Sequence, residues 1–300
     1  MGHALLHDGT NDQIHIAEGH HPAPSAVGSD RLWRLLVHRD PARGAWNMAV
    51  DEAISRAVAA GSAPPTLRFY AWAPPCVSLG RHQSLTALDT ARCRALGYEI
   101  VRRPTGGRAI LHTDEFTYSV IAPPDEPAVQ GLVLDSYLRL SGGLVAGLAK
   151  LGIAAEPAPG TNRAGPNASA ACFEVPSAYE LVAGGKKLLG SAQNRRAKVV
   201  LQHGSLPLYG DLTRLVECLA MPDEAARATL RRNLAHHATT VEQLLGRRVS
   251  FDEVAVAMAA GFHEALGMTL TPGELTPDER ALAEQLLREQ YDHPDWTERT

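Results

Sequence analysis

Residues 98–122 read YEIVRRPTGGRAILHTDEFTYSVIA, and their pattern decides the fold class. Three β-type runs, 98–103, 108–112 and 116–122, follow one another with connections too short for a crossover helix. Such connections favour antiparallel hairpins over βαβ units. Toward the N-terminus, LWRLLVH (32–38), TLRFYAW (66–72) and CVSLG (76–80) are further strand candidates. Between the first two, Trp46, Ala49, Val50, Ala53, Ile54 and Ala57 recur on one face of a helix over 45–60. A second helix over 87–96 ends at Gly97, and a long one covers 131–151. The segment 156–170, rich in Pro, Gly, Asn and Ala, reads as a loop. A second β cluster follows: ACFEV, YELVAG, KKLLGSAQNRR and KVVLQHGSLPLY. Beyond Asp211 the pattern is helical, near 211–219, 223–234, 251–266 and 277–290.

This order predicts an α+β protein, a mixed, largely antiparallel sheet packed with helices plus a C-terminal helical portion. The expected organisation is a disordered leader over 1–30, a catalytic domain over 31–235, and a helical extension over 236–300 packed on it. The leader holds five of the thirteen histidines and shows no apolar periodicity.

Composition narrows the function. The 300 residues are 45% hydrophobic and 21% charged, enough for a sizeable core. A net charge of -4 provides no general attraction to nucleic acid or an anionic membrane. No run approaches the ~18 apolar residues of a membrane span, and no secretory signal opens the chain. Cys76, Cys93, Cys172 and Cys218 form no CxxC pair, so no zinc ribbon or other metal site is expected. Few, unpatterned cysteines suit free thiols in a reducing cytoplasm. Only four of the 29 basic residues are lysines, and Lys186, Lys187 and Lys198 fall close together. A buried lysine can shift its pKa as arginine cannot, which singles out that segment.

Four stretches could carry chemistry. Arg102-Arg103-Pro104-Thr105-Gly106-Gly107-Arg108 joins two strand candidates. Paired glycines allow close backbone approach to a ligand, and the arginines suit a phosphate or carboxylate. Taken alone, the stretch also fits an ordinary Gly-Gly turn with surface arginines. Cys172 lies fifteen residues before the lysine-bearing strand. A thiolate there would need a nearby cation, and Lys187 across a hairpin could supply it. In Gly184-Gly185-Lys186-Lys187-Leu188-Leu189-Gly190-Ser191-Ala192-Gln193, strand alternation turns one lysine inward and the other outward. The small residues Gly190 and Ser191 let something approach the backbone. In Gln202-His203-Gly204-Ser205, His203 could act as a base for Cys172.

Taken in this order, RRPTGGRAILH, ACFEVPSAYELVAGGKKLLGSAQNRR and LQHGSL resemble the lipoate/octanoate protein ligase and transferase superfamily, which includes biotin protein ligase catalytic domains. The cysteine fifteen residues before GKKxxGSAQ looks like that of the Gram-positive octanoyl-[acyl carrier protein]:protein octanoyltransferases. The resemblance runs from about Leu32 to beyond Tyr209 and into TTVEQLLGRRVSFDEVAVAMAAGFHEALG. It implies an acyltransferase of protein lipoylation in which Cys172 takes octanoyl from octanoyl-acyl carrier protein as a thioester. A lysine of a lipoyl-domain protein, such as glycine cleavage H protein or a 2-oxo-acid dehydrogenase E2 subunit, then receives it. It implies catalytic roles for Cys172 and Lys187, and substrate contacts from Arg103, Gly106, Gly107, His112, Gly190, Ser191 and His203. Lys187 would stabilise the thiolate as an ammonium or take its proton as an amine, and the sequence leaves both open.

No cofactor, nucleic acid or membrane is implied, and the expected state is a cytoplasmic monomer. Arg195, Arg196 and Lys198 are candidates for a patch that meets the acidic carrier. The alternatives are an ATP- and Mg-dependent lipoate ligase, in which Arg102 and Arg103 would hold a phosphate, and an amidotransferase between lipoyl domains. A Cys–His thiol hydrolase and a non-catalytic acyl-binding protein are more distant readings.

Overall fold

The computed structural model describes residues 32–158, 180–196 and 198–299. The leader 1–30, most of the loop 156–170, and Cys172 lie outside them. The strands are β1 Leu32–Val37, β2 Thr66–Tyr70, β3 Cys76–Leu79, β4 Glu99–Arg102, β5 Ile110–His112, β6 Glu115–Ala122, β7 Glu156–Pro157, β8 Glu180–Ala183, β9 Lys186–Arg196, β10 Val199–Pro207 and β11 Thr269–Pro272. The helices are α1 Gly44–Ala59, α2 Thr90–Ala95, α3 Val133–Lys150, α4 Glu224–His237, α5 Val241–Leu245, α6 Phe251–Leu266, α7 Pro277–Leu286 and α8 Pro294–Glu298. Among the described residues no helix is long and apolar enough to cross a membrane.

Eight strands form one sheet in the order β11-β1-β2-β6-β10-β9-β8-β7. Its β11, β1 and β2 run parallel, and every other neighbouring pair is antiparallel. Period-2 alternation gives the sheet two buried faces. Leu67, Phe69, Phe116, Tyr118 and Val120 face a core shared with Leu140, Leu144 and Leu148 of α3 and Met258 and Phe262 of α6. On the other face, Leu36, Tyr70, Ile121 and Leu201 pack with Met48, Val50 and Ile54 of α1 and Ala283 and Leu286 of α7. A smaller sheet, β4-β3-β5, carries a third core with Cys93 of α2 and Leu230 and Leu234 of α4.

Two details of the strand reading are corrected. The runs within 98–122 do not form consecutive hairpins. β4 pairs parallel with β3 after the crossing of α2, β5 pairs antiparallel with the other edge of β3, and β6 leaves for the large sheet. The physical reason lies in the intervening turn. Pro104 has no N–H to give to a ladder, and the Arg103 guanidinium takes the carbonyls of Gly106 (2.8 Å) and Arg108 (2.8 Å). The second correction is β11, a strand within the region read as helical, paired parallel with β1 from Leu32↔Thr269 to Leu35↔Pro272. Four residues ending in proline carry too little alternation to read as a strand, yet proline is tolerated at a sheet edge.

The β8–β9 hairpin places the lysines. Gly184 and Gly185 have φ of 57° and 73°, the left-handed pair that a two-residue turn requires. Lys186 is half-buried and Lys187 fully buried. The register runs Glu180↔Gly190 and Leu181↔Leu189, then slips to Val182↔Lys187. Glu180 and Val182 share a face, so Lys187 and Gly190 share one too, although three residues separate them. Without the β-bulge an odd spacing would put them on opposite faces.

Candidate active site

The site is built across four strands. Gly190 of β9, Ser205 of β10, Thr117 of β6 and Tyr70 of β2 stand directly opposite one another, as do Ala192, His203, Ser119 and Arg68 two residues along. Both rows face α1. The first row, with Ala192 and His203 of the second, lines a pocket on that face. Met48 of α1, Trp72, Ser78 of β3, Arg103, Gly107, and Ile110 and His112 of β5 complete its lining. Atom-free space within it, including space open to solvent, is about 470 Å³.

Of the residues singled out from the sequence, Arg103, Gly107, His112, Gly190, Ser191 and His203 line this pocket. Ser191 turns its hydroxyl to the opposite face, 2.7 Å from the Tyr118 hydroxyl. Burial pushes the Tyr118 phenol up to about 12, with its Ser191 and Gln202 hydrogen bonds opposing. Gly106 offers its carbonyl to Arg103 (2.8 Å). Lys187 lies behind the wall, and its buried ammonium is ion-paired with Glu180. A methyl group on Gly190 would sit 3.3 Å from Lys187 Cε and 3.4 Å from Nζ. The absence of a side chain at Gly190 is therefore what lets the lysine head approach the pocket. Cys172 is outside the described residues.

The turn at 103–108 is held rigidly. Arg103 Nη1 donates to the Ser78 carbonyl and hydroxyl, both at 2.9 Å. Gly107 has φ of 94°, and a Cβ there would come within 2.8 Å of Arg103 Nη2. Thr105 reaches across to His203 Nε2 at 2.7 Å. Arg102 is fully buried and, among the described residues, donates to main-chain carbonyls, those of Gly80, Arg81, Gln83, Trp296 and Thr297. Arg102 therefore braces the backbone and is not placed to hold a phosphate.

Two polar networks lie under the pocket. His112 stacks on Trp72 with ring centres 3.9 Å apart, and bonds Ser78 Oγ (2.7 Å) and Glu115 Oε1 (2.6 Å). Glu115 also accepts from Thr117 (2.7 Å) and from Ser205. His203 Nδ1 lies 3.6 Å from Asp51 Oδ2. Asp51 in turn accepts from Arg68 (2.7 Å), Tyr70 (3.0 Å) and Ser119 (3.0 Å). Burial would raise the Asp51 carboxyl, but Arg68 and His203 beside it hold it below the usual carboxylate range. Burial lowers His203, with Asp51 opposing, which favours the neutral imidazole.

Sequence reading did not single out Asp51, Glu115, Glu180 or Trp72. Its one available signal was a charged residue inside an apolar run, as in YELVA for Glu180. Of the candidate basic patch, Arg195 and Arg196 have partners within the chain, and Arg196 stays exposed. Arg195 binds the carbonyls of Val129 (2.7 Å) and Gly131 (2.9 Å), and Arg196 pairs with Glu52 (2.7 Å). Both side chains tie the strand end to neighbouring elements.

The network makes stability depend on pH. Arg68 Nε donates to His38 Nδ1 at 3.1 Å, and burial followed by Arg68 lowers His38 from 6.5 to about 4. The unfolded chain then takes up a proton below about pH 6.5 that the folded chain excludes until about pH 4, so stability falls as pH drops through that window. Urea unfolding midpoints between pH 4 and 7.5 should decline accordingly, and the decline should be shallower in His38→Gln.

Comparison with known proteins places this geometry. Residues 43–263 match the family model of the lipoyl protein ligase A/B catalytic domain. The chain is 48% identical over 262 residues to octanoyltransferase LipM of Kyrpidia tusciae, covering 86% of this chain and 95% of that protein. It is 46% identical over 274 residues to octanoyltransferase LipM of Symbiobacterium thermophilum, covering 89% and 98%. Among solved structures, a lipoate protein ligase from Thermoplasma acidophilum with bound lipoic acid superposes with a TM-score of 0.72 at 27% identity, covering 89% of this chain and 99% of that one. Lipoate-protein ligase A bound with ATP superposes with a TM-score of 0.74 at 27% identity, covering 89% and 98%. With this match over most of its length, the chain belongs to the lipoyl protein ligase A/B catalytic-domain family, among its LipM octanoyltransferases.

Proposed function

We propose that the protein moves octanoyl from octanoyl-acyl carrier protein to a lysine of a lipoyl-domain protein through a thioester on Cys172. The Cys172 thiolate attacks the carrier thioester carbonyl. The tetrahedral intermediate expels the phosphopantetheine thiolate, which takes up a proton. The neutral amine of the acceptor lysine then attacks the acyl-enzyme, the bond to Cys172 breaks, and an amide forms with loss of the amine proton. One thioester replaces another in the first step and the amide makes the second downhill, so neither ATP nor a metal ion enters. Glycine cleavage H protein and 2-oxo-acid dehydrogenase E2 subunits are the proposed acceptors, and a cytoplasmic monomer the proposed state.

The observation that carries this reading is the 40–48% identity to octanoyltransferases, against 26–27% to ligases of the same fold. The site supports it chemically. Met48, Trp72 and Ile110 give the pocket apolar walls that suit an acyl chain. Lys187, behind Gly190, would donate toward the acyl carbonyl, and Tyr70, Trp72 and Met48 would border the chain. His112 and Gly107 would shape the pocket wall.

The test is the intact mass after mixing with octanoyl-acyl carrier protein without ATP. An octanoyl adduct on the wild type, absent from Cys172→Ala and removed by hydroxylamine, is the expected result. No adduct, with lipoyl-domain modification only when ATP is supplied, would establish the ligase reading instead.

A further inference from the structure

We propose that the C-terminal segment 287–299 is a positioning element of the acyl site, acting through Arg102 on the turn Thr105–Gly107. The segment lies beyond the residues 43–263 that match the catalytic-domain family. It follows α7 as a π turn, Leu287–Tyr291, and ends in α8. Two ties hold it to the body. Asp292 accepts from both Nη atoms of Arg43 (3.1 and 3.2 Å), and Arg43 Nε also bonds Glu99 of β4 (2.6 Å). At the second tie, Arg102 Nε donates to the Trp296 carbonyl (3.1 Å) and Nη2 to that of Thr297 (2.7 Å), while Trp296 Nε1 donates back to the Arg102 carbonyl (2.8 Å). The Trp296 ring is fixed between Tyr291, in edge contact at 5.5 Å, and the Arg299 guanidinium at 4.7 Å.

The remaining donors of Arg102 point toward the site. Nη1 holds the carbonyls of Gly80 (2.9 Å), Arg81 (3.2 Å) and Gln83 (2.6 Å). That loop supports the glycine turn directly. Arg81 N donates to the Thr105 carbonyl (2.8 Å), and Gly80 packs so tightly on the Gly107 carbonyl that a Cβ would collide with it. Thr105 bonds His203, and Gly107 lines the pocket beside Arg103. A planar guanidinium with five donors in fixed directions can hold both sets of carbonyls at once, where an ammonium cannot. Without the Trp296 ring and its Nε1 bond, the segment no longer holds the Trp296 and Thr297 carbonyls against Arg102, and the 80–83 loop and the turn lose their common reference.

The kinetic arm of the test rests on the transferase reading, and the exchange arm does not. In the full-length chain, Trp296→Ala should lower kcat for octanoyl transfer roughly 10- to 100-fold, the scale of a small misplacement at a reacting centre. KM for both protein substrates should stay within about twofold of wild type, as expected when positioning and not docking is lost. Amide hydrogen exchange over 103–107 should accelerate while that of β6 and β10 is unchanged. Trp296→Phe, which keeps the ring packing and loses only its N–H bond, should recover most of kcat. A segment that merely covers the β4 edge predicts something else: a lower unfolding midpoint, faster exchange throughout β3 and β4, and an unchanged kcat per folded molecule. That outcome, or unaltered exchange over 103–107, overturns the proposal. Should the wild type show no transfer, the transferase reading fails and the exchange arm alone decides.

Discussion

Replacing Lys187 with methionine is expected to reduce octanoyl transfer by about 10³-fold, the loss seen when a donor to a developing oxyanion is removed. The same change strips a buried carboxylate of its ammonium. Glu180 is only 6% exposed and ion-paired with Lys187, so the variant also loses about 3–5 kcal/mol of stability. These two effects are separable. Lys187→Met combined with Glu180→Gln removes both charges and should restore much of the stability while leaving transfer at the level of the single variant. Lys187→Arg should be inactive too, because Lys187 is fully buried against Glu180 and a larger planar guanidinium would have to displace its surroundings. Transfer rates set beside urea unfolding curves check this. A double variant that transfers within tenfold of wild type would remove Lys187 from the chemistry.

The second large effect belongs to the pair behind the pocket. Asp51 and Arg68 are both fully buried and 2.7 Å apart. Asp51→Ala leaves the Arg68 guanidinium with the Asn47 oxygens and His38 but no counter-charge, and leaves the Tyr70 and Ser119 hydroxyls without their acceptor. Loss of one partner of such a pair costs about 3–5 kcal/mol, which in a chain of this size lowers the melting temperature by roughly 10 °C. Asp51→Leu with Arg68→Met exchanges the pair for apolar groups and should regain a good part of that loss. Calorimetry of the two variants decides the point. Equal instability in both would mean that the pair's charges are not what Asp51→Ala disturbs.

Much of this architecture was legible in the chain. The apolar spacing of Trp46 to Ala57 marked α1, and alternation along KK divided a half-buried lysine from a fully buried one. These features depend on neighbours within a few residues, where backbone geometry and side-chain direction are set locally. The pairing of the 98–122 runs was not legible, because the partner of β4 and β5 is β3, which lies earlier in the chain and beyond α2. Asp51 and Arg68 were silent for the same reason. Each looks like a surface charge until helix and strand are stacked and the two side chains face one another in a closed layer.

The residue types of the site, a lysine among arginines, a Gly-Gly turn between strands, and a histidine before glycine, are present in the sequence as written. The lysine joins the others through a register slip between Leu181 and Val182. Pairing energy along a strand changes little when one residue bulges, whereas every side chain beyond the bulge changes face. Only the packing of both faces of the assembled sheet selects the register that turns Lys187 toward Gly190.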